Sequence, residues 1–289
     1  MPREELVGRI EKLKDERGAV ILAHNYQPAE IQDVADHLGD SLDLSRLAAR
    51  LDAEVIVFCG VHFMAETASM LAPGKKVILP APDAGCPMAD MLGPEELLAM
   101  QAKHPGAVTV MYVNSTARVK ALTDICCTSA NVIQVIESIP GDREIIFGPD
   151  KYLGAWAAKL TGRTLHLCAG YCPSHQRIMP EEIRALREAH PDAEVMVHPE
   201  VNPSIAAEAD ILLGTGGMIR HAGESDRNEF IVGTEVGMTY RLSRIYPDKK
   251  FYPASPNAVC PNMKKITLEK LARSLETLEP VISVPEDIA

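Results

Sequence analysis

Apolar residues in this chain gather into short, nearly continuous, β-branched runs, and these alternate with stretches in which leucine, alanine and methionine recur at helical spacing. After an amphipathic start, MPREELVGRIEKLKDERG, the order is GAVILAHNY (strand), DSLDLSRLAARL (helix), EVIVFCG (strand), HFMAETASML (helix) and KKVILPAP (strand). The same order then returns twice. AVTVMYV, SANVIQVIESI, REIIFGP, KYLGAWAAKL and RTLHLCA make the second pass, and AEVMVHP, PSIAAEADILLGTGGMIRH, EFIVGTE, VGMTYRLSRIY and KKFYPAS the third. In the third pass DILLG interrupts the helical stretch and reads as a further short strand.

Fixed landmarks keep the step of this repeat. His24, Tyr112 and His198 follow the first strand of each pass, 88 and 86 residues apart; Ser41, Ser129 and Thr215 repeat those steps, and Gly60, Gly148 and Gly233 each end the second strand. The pattern predicts an α/β fold of three pseudo-threefold-related αβα modules with small parallel sheets. Their boundaries fall at residues 1–104 with the N-terminal helix, 105–190, and 191–289 with a C-terminal helix and tail. Parallel sheets gather ligands beyond the carboxyl ends of their strands. The modules are therefore expected to turn those ends inward around one central cavity, where helix N-termini favour phosphate or carboxylate groups.

Composition narrows the partners. Of 289 residues 46% are hydrophobic, enough for a substantial core, and a net charge of −11 argues against nucleic acid or an anionic membrane as partner. The N-terminus does not read as a signal peptide and no apolar run reaches membrane-spanning length, so a cytoplasmic protein is expected. Seven cysteines in such a chain fit reduced thiols or metal ligands better than a disulfide framework.

Three of those cysteines, Cys86, Cys172 and Cys260, keep the repeat, at 86 and 88 residues. A single cysteine is read first as a small buried residue, but one per module in register points to a metal. Three thiolates suit zinc with an open position, or an iron-sulfur cluster with one iron not ligated by protein, and spacing does not choose between them. Cys168 competes with Cys172, and the register favours Cys172. Cys59, Cys126 and Cys127 are expected to be packing residues, the latter two at a helix start. Ser41, Ser129 and Thr215 could serve as plain helix N-caps and Glu200 as a cap beside Pro199. A non-catalytic iron-sulfur redox sensor or electron carrier, and a metal-free sugar-phosphate binder, are the alternatives to an enzyme.

AHNYQ, GDSLDLS, GCPMAD, YVNSTARVKALTDICCTSAN, GYCPSH, HPE, GTGGMI, GTEVGM and CPNMKKITLEKL, in that order and over essentially the whole chain, resemble the quinolinate synthase family. The resemblance implies a 4Fe-4S cluster held by Cys86, Cys172 and Cys260. It also implies the condensation of iminoaspartate (iminosuccinate) with dihydroxyacetone phosphate to quinolinate for NAD biosynthesis, losing phosphate and two waters. Carried over by position, the substrate-binding residues are His24, Ser41, Tyr112, Asn114, Ser129, His198, Glu200 and Thr215. Glu200 is the expected base, with Tyr26 and Tyr112 as proton relays and His24 and His198 as carboxylate binders. Because iminoaspartate is unstable in water, an oxidase or dehydrogenase that supplies it is an expected partner. Two positions depart from the family: Cys168 stands where an aromatic residue is expected, and Gly214 where serine is common.

Overall fold

The structure, a computed structural model, describes residues 2–289. Twelve strands form three four-stranded sheets, all parallel within each sheet. The first contains β1 (Ala19–His24), β2 (His37–Gly39), β3 (Val55–Cys59) and β4 (Lys76–Ile78). The second contains β5 (Val108–Tyr112), β6 (Ile125–Cys127), β7 (Ile145–Gly148) and β8 (Leu165–Leu167). The third contains β9 (Glu194–Val197), β10 (Ile211–Leu212), β11 (Glu229–Gly233) and β12 (Lys250–Pro253). Each has the order second, first, third, fourth, so the chain reverses direction across the sheet between its first and third strands. That reversal opens a crevice at the carboxyl ends of β1, β5 and β9. His24, Tyr112 and His198 stand there.

Each pass therefore holds four strands, where the apolar pattern shows three in the first two passes and a fourth, at DILLG, in the third. The additional strands are β2, β6 and β10, two or three residues long and on the sheet edge. One aspartate holds each in place. Asp36, Asp124 and Asp210, again 88 and 86 residues apart, immediately precede the edge strands, and each carboxylate accepts the N–H of a residue in the neighbouring first strand, Ile21, Thr109 or Val195, at 2.8 Å. The aspartates' own N–H groups donate to the carbonyls of those same three residues. Charge-assisted bonds of this kind, worth roughly 1.5–3 kcal/mol each, replace the pairing a longer strand would supply. A correction follows for Cys126 and Cys127, which do not start a helix but lie in β6; Cys127 is buried and Cys126 exposed.

A second device also recurs. Lys75, Arg163 and Lys249 precede the fourth strand of each sheet and donate to carbonyls at the end of an earlier helix: Ala48 and Leu51, Ile139 and Pro140, Ala222 and Ser225. Cations at helix C-termini satisfy the terminal carbonyls and complement the dipole.

The chain divides into two compact units, one running to Cys86 and including Cys260–Ala289, the other Pro87–Val259. In the first unit, the helix Arg3–Arg17 buries Leu6 and Ile10, and the helix Leu268–Thr277 buries Leu268, Leu271, Ala272 and Leu275. Arg17 donates to the Glu276 carbonyl and Arg9 pairs with the Glu276 carboxylate, joining the two helices. The tail then returns to β4, where Ile78 and Val281 form an antiparallel bridge. The last helix thus packs with the first sheet, although sequence order runs it on from the third. The second unit carries the other two sheets, with Phe147 and Phe230 fully buried in their third strands. No helix of the described residues is long and apolar enough to cross a membrane.

Candidate active site

After β1 and after β9 the backbone curls back on a histidine at the strand's end. The Tyr26 N–H donates to His24 Nδ1 (3.2 Å) and the Glu200 N–H to His198 Nδ1 (3.3 Å). An Nδ1 that accepts carries no proton, so in each neutral imidazole the proton is on Nε2, which becomes the donor. The residues two further on, Tyr26 and Glu200, are thereby carried to equivalent places after β1 and β9, and Asn114 follows Tyr112 at the same interval.

In the second unit this construction assembles a connected polar group. Tyr112 Oη donates to Glu200 Oε1 at 2.6 Å; His175 Nδ1 lies 2.9 Å from Glu200 Oε2, and His175 Nε2 is 2.8 Å from Thr234 Oγ1. His198 Nε2 faces Ser129 Oγ at 3.3 Å, and the His175 and His198 rings stack with centroids 5.0 Å apart. Thr215, buried, is the first residue of the helix Thr215–Glu224, whose N-cap, Gly214, supplies no side-chain cap. Asn114 Oδ1 is buried without a protein donor among the described residues. An amide oxygen so placed is costly unless a ligand donates to it.

The electrostatics give these groups distinct protonation. Burial pushes the His198 imidazole down to about 4, against an upward pull from Glu200, so it is neutral at pH 7. Burial alone would raise Glu200; His198, His175 and the hydrogen bonds from His175 and Tyr112 outweigh it and hold its carboxyl down at about 2. Glu200 is therefore a buried but ionised carboxylate. Asp150 is its opposite. It caps the helix Lys151–Thr161 through Oδ1, which accepts from Tyr152 (2.8 Å) and Leu153 (2.9 Å), while Oδ2 has no partner among the described residues. Burial first and the Glu200 charge second lift the Asp150 carboxyl well above the usual carboxylate range.

Gly214 lies close to Ser129: a Cβ on it would sit 2.6 Å from Ser129 Oγ, a hydroxyl that would then have to turn away. In the first unit, His24 is buried with its ring edge-on to Tyr26, centroids 4.6 Å apart, and the Tyr26 carbonyl accepts from Lys264 Nζ. Ser41 begins the helix Ser41–Arg50, but Asp40 is the cap. The cap role considered for Ser41 thus belongs to its neighbour.

The cysteines divide by environment. Cys168 is buried beside Leu92, Met111 and Ile146, where burial lifts its thiol to about 11. A Cβ at Gly148 would come within 2.7 Å of its sulfur, so the glycine makes room for it; an aromatic ring in place of Cys168 would not fit this packing. Cys59 and Cys127 are raised by burial too. Metals bind thiolates, so these three are poorly suited. Cys86, Cys172 and Cys260 are only partly buried. Cys172, three residues before His175, offers a sulfur within 4.8 Å of donor atoms of His175 and Glu200, a donor set that fits a metal at Cys172.

The family described as Quinolinate synthetase A protein matches residues 8–289. The chain belongs to this family. Quinolinate synthases of Dehalococcoides mccartyi (strain CBDB1) and Geotalea uraniireducens (strain Rf4) are 56% and 51% identical to it over 288 residues, covering 100% of this chain and 95% and 94% of theirs. Quinolinate synthase 2 of Methanosarcina acetivorans is 52% identical over 279 residues, 96% of this chain and 90% of its own. Membership of the quinolinate synthetase A family makes the chain an enzyme. Sequence reasoning missed three members of its polar group: His175, Asp150 and Thr234. His175 and Thr234 lie inside GYCPSH and GTEVGM, segments that carried the resemblance, and Asp150 ends the run after β7.

Proposed function

We propose that this chain makes quinolinate for NAD biosynthesis by condensing iminoaspartate with dihydroxyacetone phosphate, releasing phosphate and water. The observation that carries the reading is the Tyr112–Glu200–His175 group at the strand ends of a chain that matches the family along its length. The residues Cys86, Cys172 and Cys260 would hold a 4Fe-4S cluster, and the core packing of Cys168 supports Cys172 in that set. Such a cluster, when bound, supplies an iron without a cysteine ligand, a Lewis acid for loss of hydroxyl groups. Sheets centred in residues 19–78, 108–167 and 194–253 support the module boundaries near 104 and 190.

The chain's own groups take the remaining roles. Neutral His198 donates from Nε2 and Ser129 adds a hydroxyl, beside the positive end of the helix Thr215–Glu224, together suited to a carboxylate or phosphate oxygen. His24, with the same tautomer, does so in the first unit, with Ser41 at a helix start, and Asn114 Oδ1 accepts from a substrate N–H or O–H. Glu200 removes a proton next to a carbonyl or imine. With its carboxyl held down at about 2 it is a weak base until Tyr112 Oη or His175 transfers its hydrogen bond elsewhere, which makes proton transfer dependent on substrate engaging Tyr112. Tyr112 relays protons to and from Glu200 Oε1, and Tyr26 is the corresponding donor in the first unit. An enzyme that forms iminoaspartate, an oxidase or dehydrogenase, would feed this reaction.

An iron-sulfur electron carrier or redox sensor is disfavoured, because a buried ionised carboxylate costs several kcal/mol of desolvation and serves no purpose there. The test is anaerobic reconstitution, iron and sulfide analysis, and turnover with the two substrates. Glu200→Gln should keep iron and sulfide and lose at least a hundredfold in kcat. Full activity of that variant removes Glu200 as base, and full activity of cluster-free protein removes the cluster from the reaction.

A further inference from the structure

At the opposite, amino-terminal ends of the second sheet's strands, three donor groups meet. His104 follows the helix Pro94–Lys103 as its C-cap, Glu144 directly precedes β7, and His166 is the middle residue of β8. His104 Nδ1 lies 3.6 Å and His166 Nε2 3.2 Å from the same oxygen, Glu144 Oε2, and all three donor atoms fall within 4.8 Å of one another. Bonds of about 2.0–2.2 Å in a tetrahedral zinc site place ligand atoms roughly 3.3–3.5 Å apart. We propose that His104, Glu144 and His166 form a second metal site, for a divalent ion of the zinc class, unrelated to the cysteines.

The third sheet supplies an internal control. There His190, Glu229 and Tyr252 occupy the same places: His190 Nδ1 is 3.5 Å from Glu229 Oε2, and its ring stacks on Tyr252 at 3.8 Å. A histidine over a glutamate, stacked on a ring, is thus a structural habit of this repeat. But Tyr252 Oη donates to Glu229, and Lys250 neutralises that carboxylate at 2.9 Å. In the second sheet both of those features are replaced. His166 stands for Tyr252 and Thr164 for Lys250, each 86 residues earlier, so a proton donor becomes a metal-ligating nitrogen and the competing cation is gone. The neighbouring guanidinium groups are engaged elsewhere, Arg143 on the Gly106 carbonyl and Arg163 on those of Ile139, Pro140 and Arg143.

Two imidazoles and one carboxylate select zinc or copper over magnesium and calcium, which prefer all-oxygen shells. A cavity of about 460 Å³ lined by Glu144, His166, Thr164 and Arg163 borders the donors and leaves room for a water as fourth ligand. The His104 and His166 rings lie 3.5 Å apart at 22°, so their lone pairs lie in nearly parallel planes, and binding must splay the rings. Both side chains are about a quarter exposed and can turn. The ion would tie the turn before β5 to β7 and β8, adding stability in proportion to its occupancy.

The test compares the whole protein with His166→Tyr, which installs the third sheet's own arrangement and so preserves the stack. Zinc is titrated against a chromophoric chelator, and one equivalent of Cu2+ is read by electron paramagnetic resonance. The native chain should bind one more zinc than His166→Tyr, with affinity at that site falling at least tenfold in the variant. Its thermal midpoint should rise with zinc where the variant's does not, and its copper spectrum should show two imidazole nitrogens. Magnesium should do none of this. Equal zinc stoichiometry and equal midpoint shifts in the two proteins would overturn the site. If His166→Tyr is unfolded, His104→Phe, which also keeps a ring in the stack, decides on the same readouts.

Discussion

Replacing Gly214 by alanine isolates a steric contact at the end of the site proposed to bind an anion. Gly214 has φ −68° and ψ 168°, which alanine adopts freely, so no backbone strain enters. The added Cβ would sit 2.6 Å from Ser129 Oγ but 3.4 Å, an ordinary contact, from Ser129 Cβ. The hydroxyl must therefore swing away and give up its 3.3 Å contact with His198 Nε2. Turning one hydroxyl aside is itself cheap, so the cost is chiefly the lost hydrogen bond, about 0.5–1.5 kcal/mol. At roughly 2–4 °C per kcal/mol for a unit of this size, the thermal midpoint should fall by a few degrees. Ser129→Ala removes the obstructing atom, so adding Gly214→Ala to it should cost only a few tenths of a kcal/mol, the ordinary difference at a helix N-cap. The assay is a double-mutant cycle on thermal midpoints. A coupling of about 0.5–1 kcal/mol in favour of the double variant is expected, and KM for the proposed phosphate-bearing substrate should rise in Gly214→Ala. If Gly214→Ala destabilises both backgrounds equally, the close approach does not govern this helix start and the steric reasoning fails.

Acid sensitivity should show two stages. His198 titrates near 4 when folded and about 6.5 when unfolded, so the unfolded chain takes up the proton first, and stability contributed by the neutral imidazole is lost as pH falls from about 6.5 to 4. Glu200, held down at about 2, adds stability above about pH 4.3 that is lost as pH drops further. Midpoints measured from pH 7.5 to 4.5 should decline less steeply in His198→Gln than in the native chain; parallel curves would place the acid-sensitive group elsewhere. Cys172→Ala should abolish assembly of iron and sulfide, and Cys168→Ala should retain it while losing stability from a core cavity, on the order of 1–2 kcal/mol. The reverse pattern in iron content would transfer the ligand role to Cys168.

Much of the fold was legible because it is local. Strand and helix periodicity needs only neighbouring residues, and the step of 86 to 88 residues fixed which positions correspond before any contact was known. The edge strands β2 and β6 escaped because three residues carry no period, while β10 showed in the sequence as DILLG; the signal common to all three was the aspartate ahead of each, on the same step, a polar residue where apolar ones are usually sought. The C-terminal helix was placed by sequence order, whereas the apolar face of Leu268, Leu271 and Leu275 packs in the unit that holds the N-terminal helix.

The sequence by itself determined the repeat, the strand ends where polar side chains collect, and the residue types gathered there. Only the tertiary structure decided how those groups share protons. Glu200 is ionised and Asp150 strongly raised because the balance of burial, neighbouring charge and hydrogen bonds differs over a few ångströms, between residues 50 apart in the chain. The same holds for His166 and Tyr252. Their correspondence is written in the numbering, but its consequence rests on which side chain also meets the glutamate, a matter of distance that no spacing encodes.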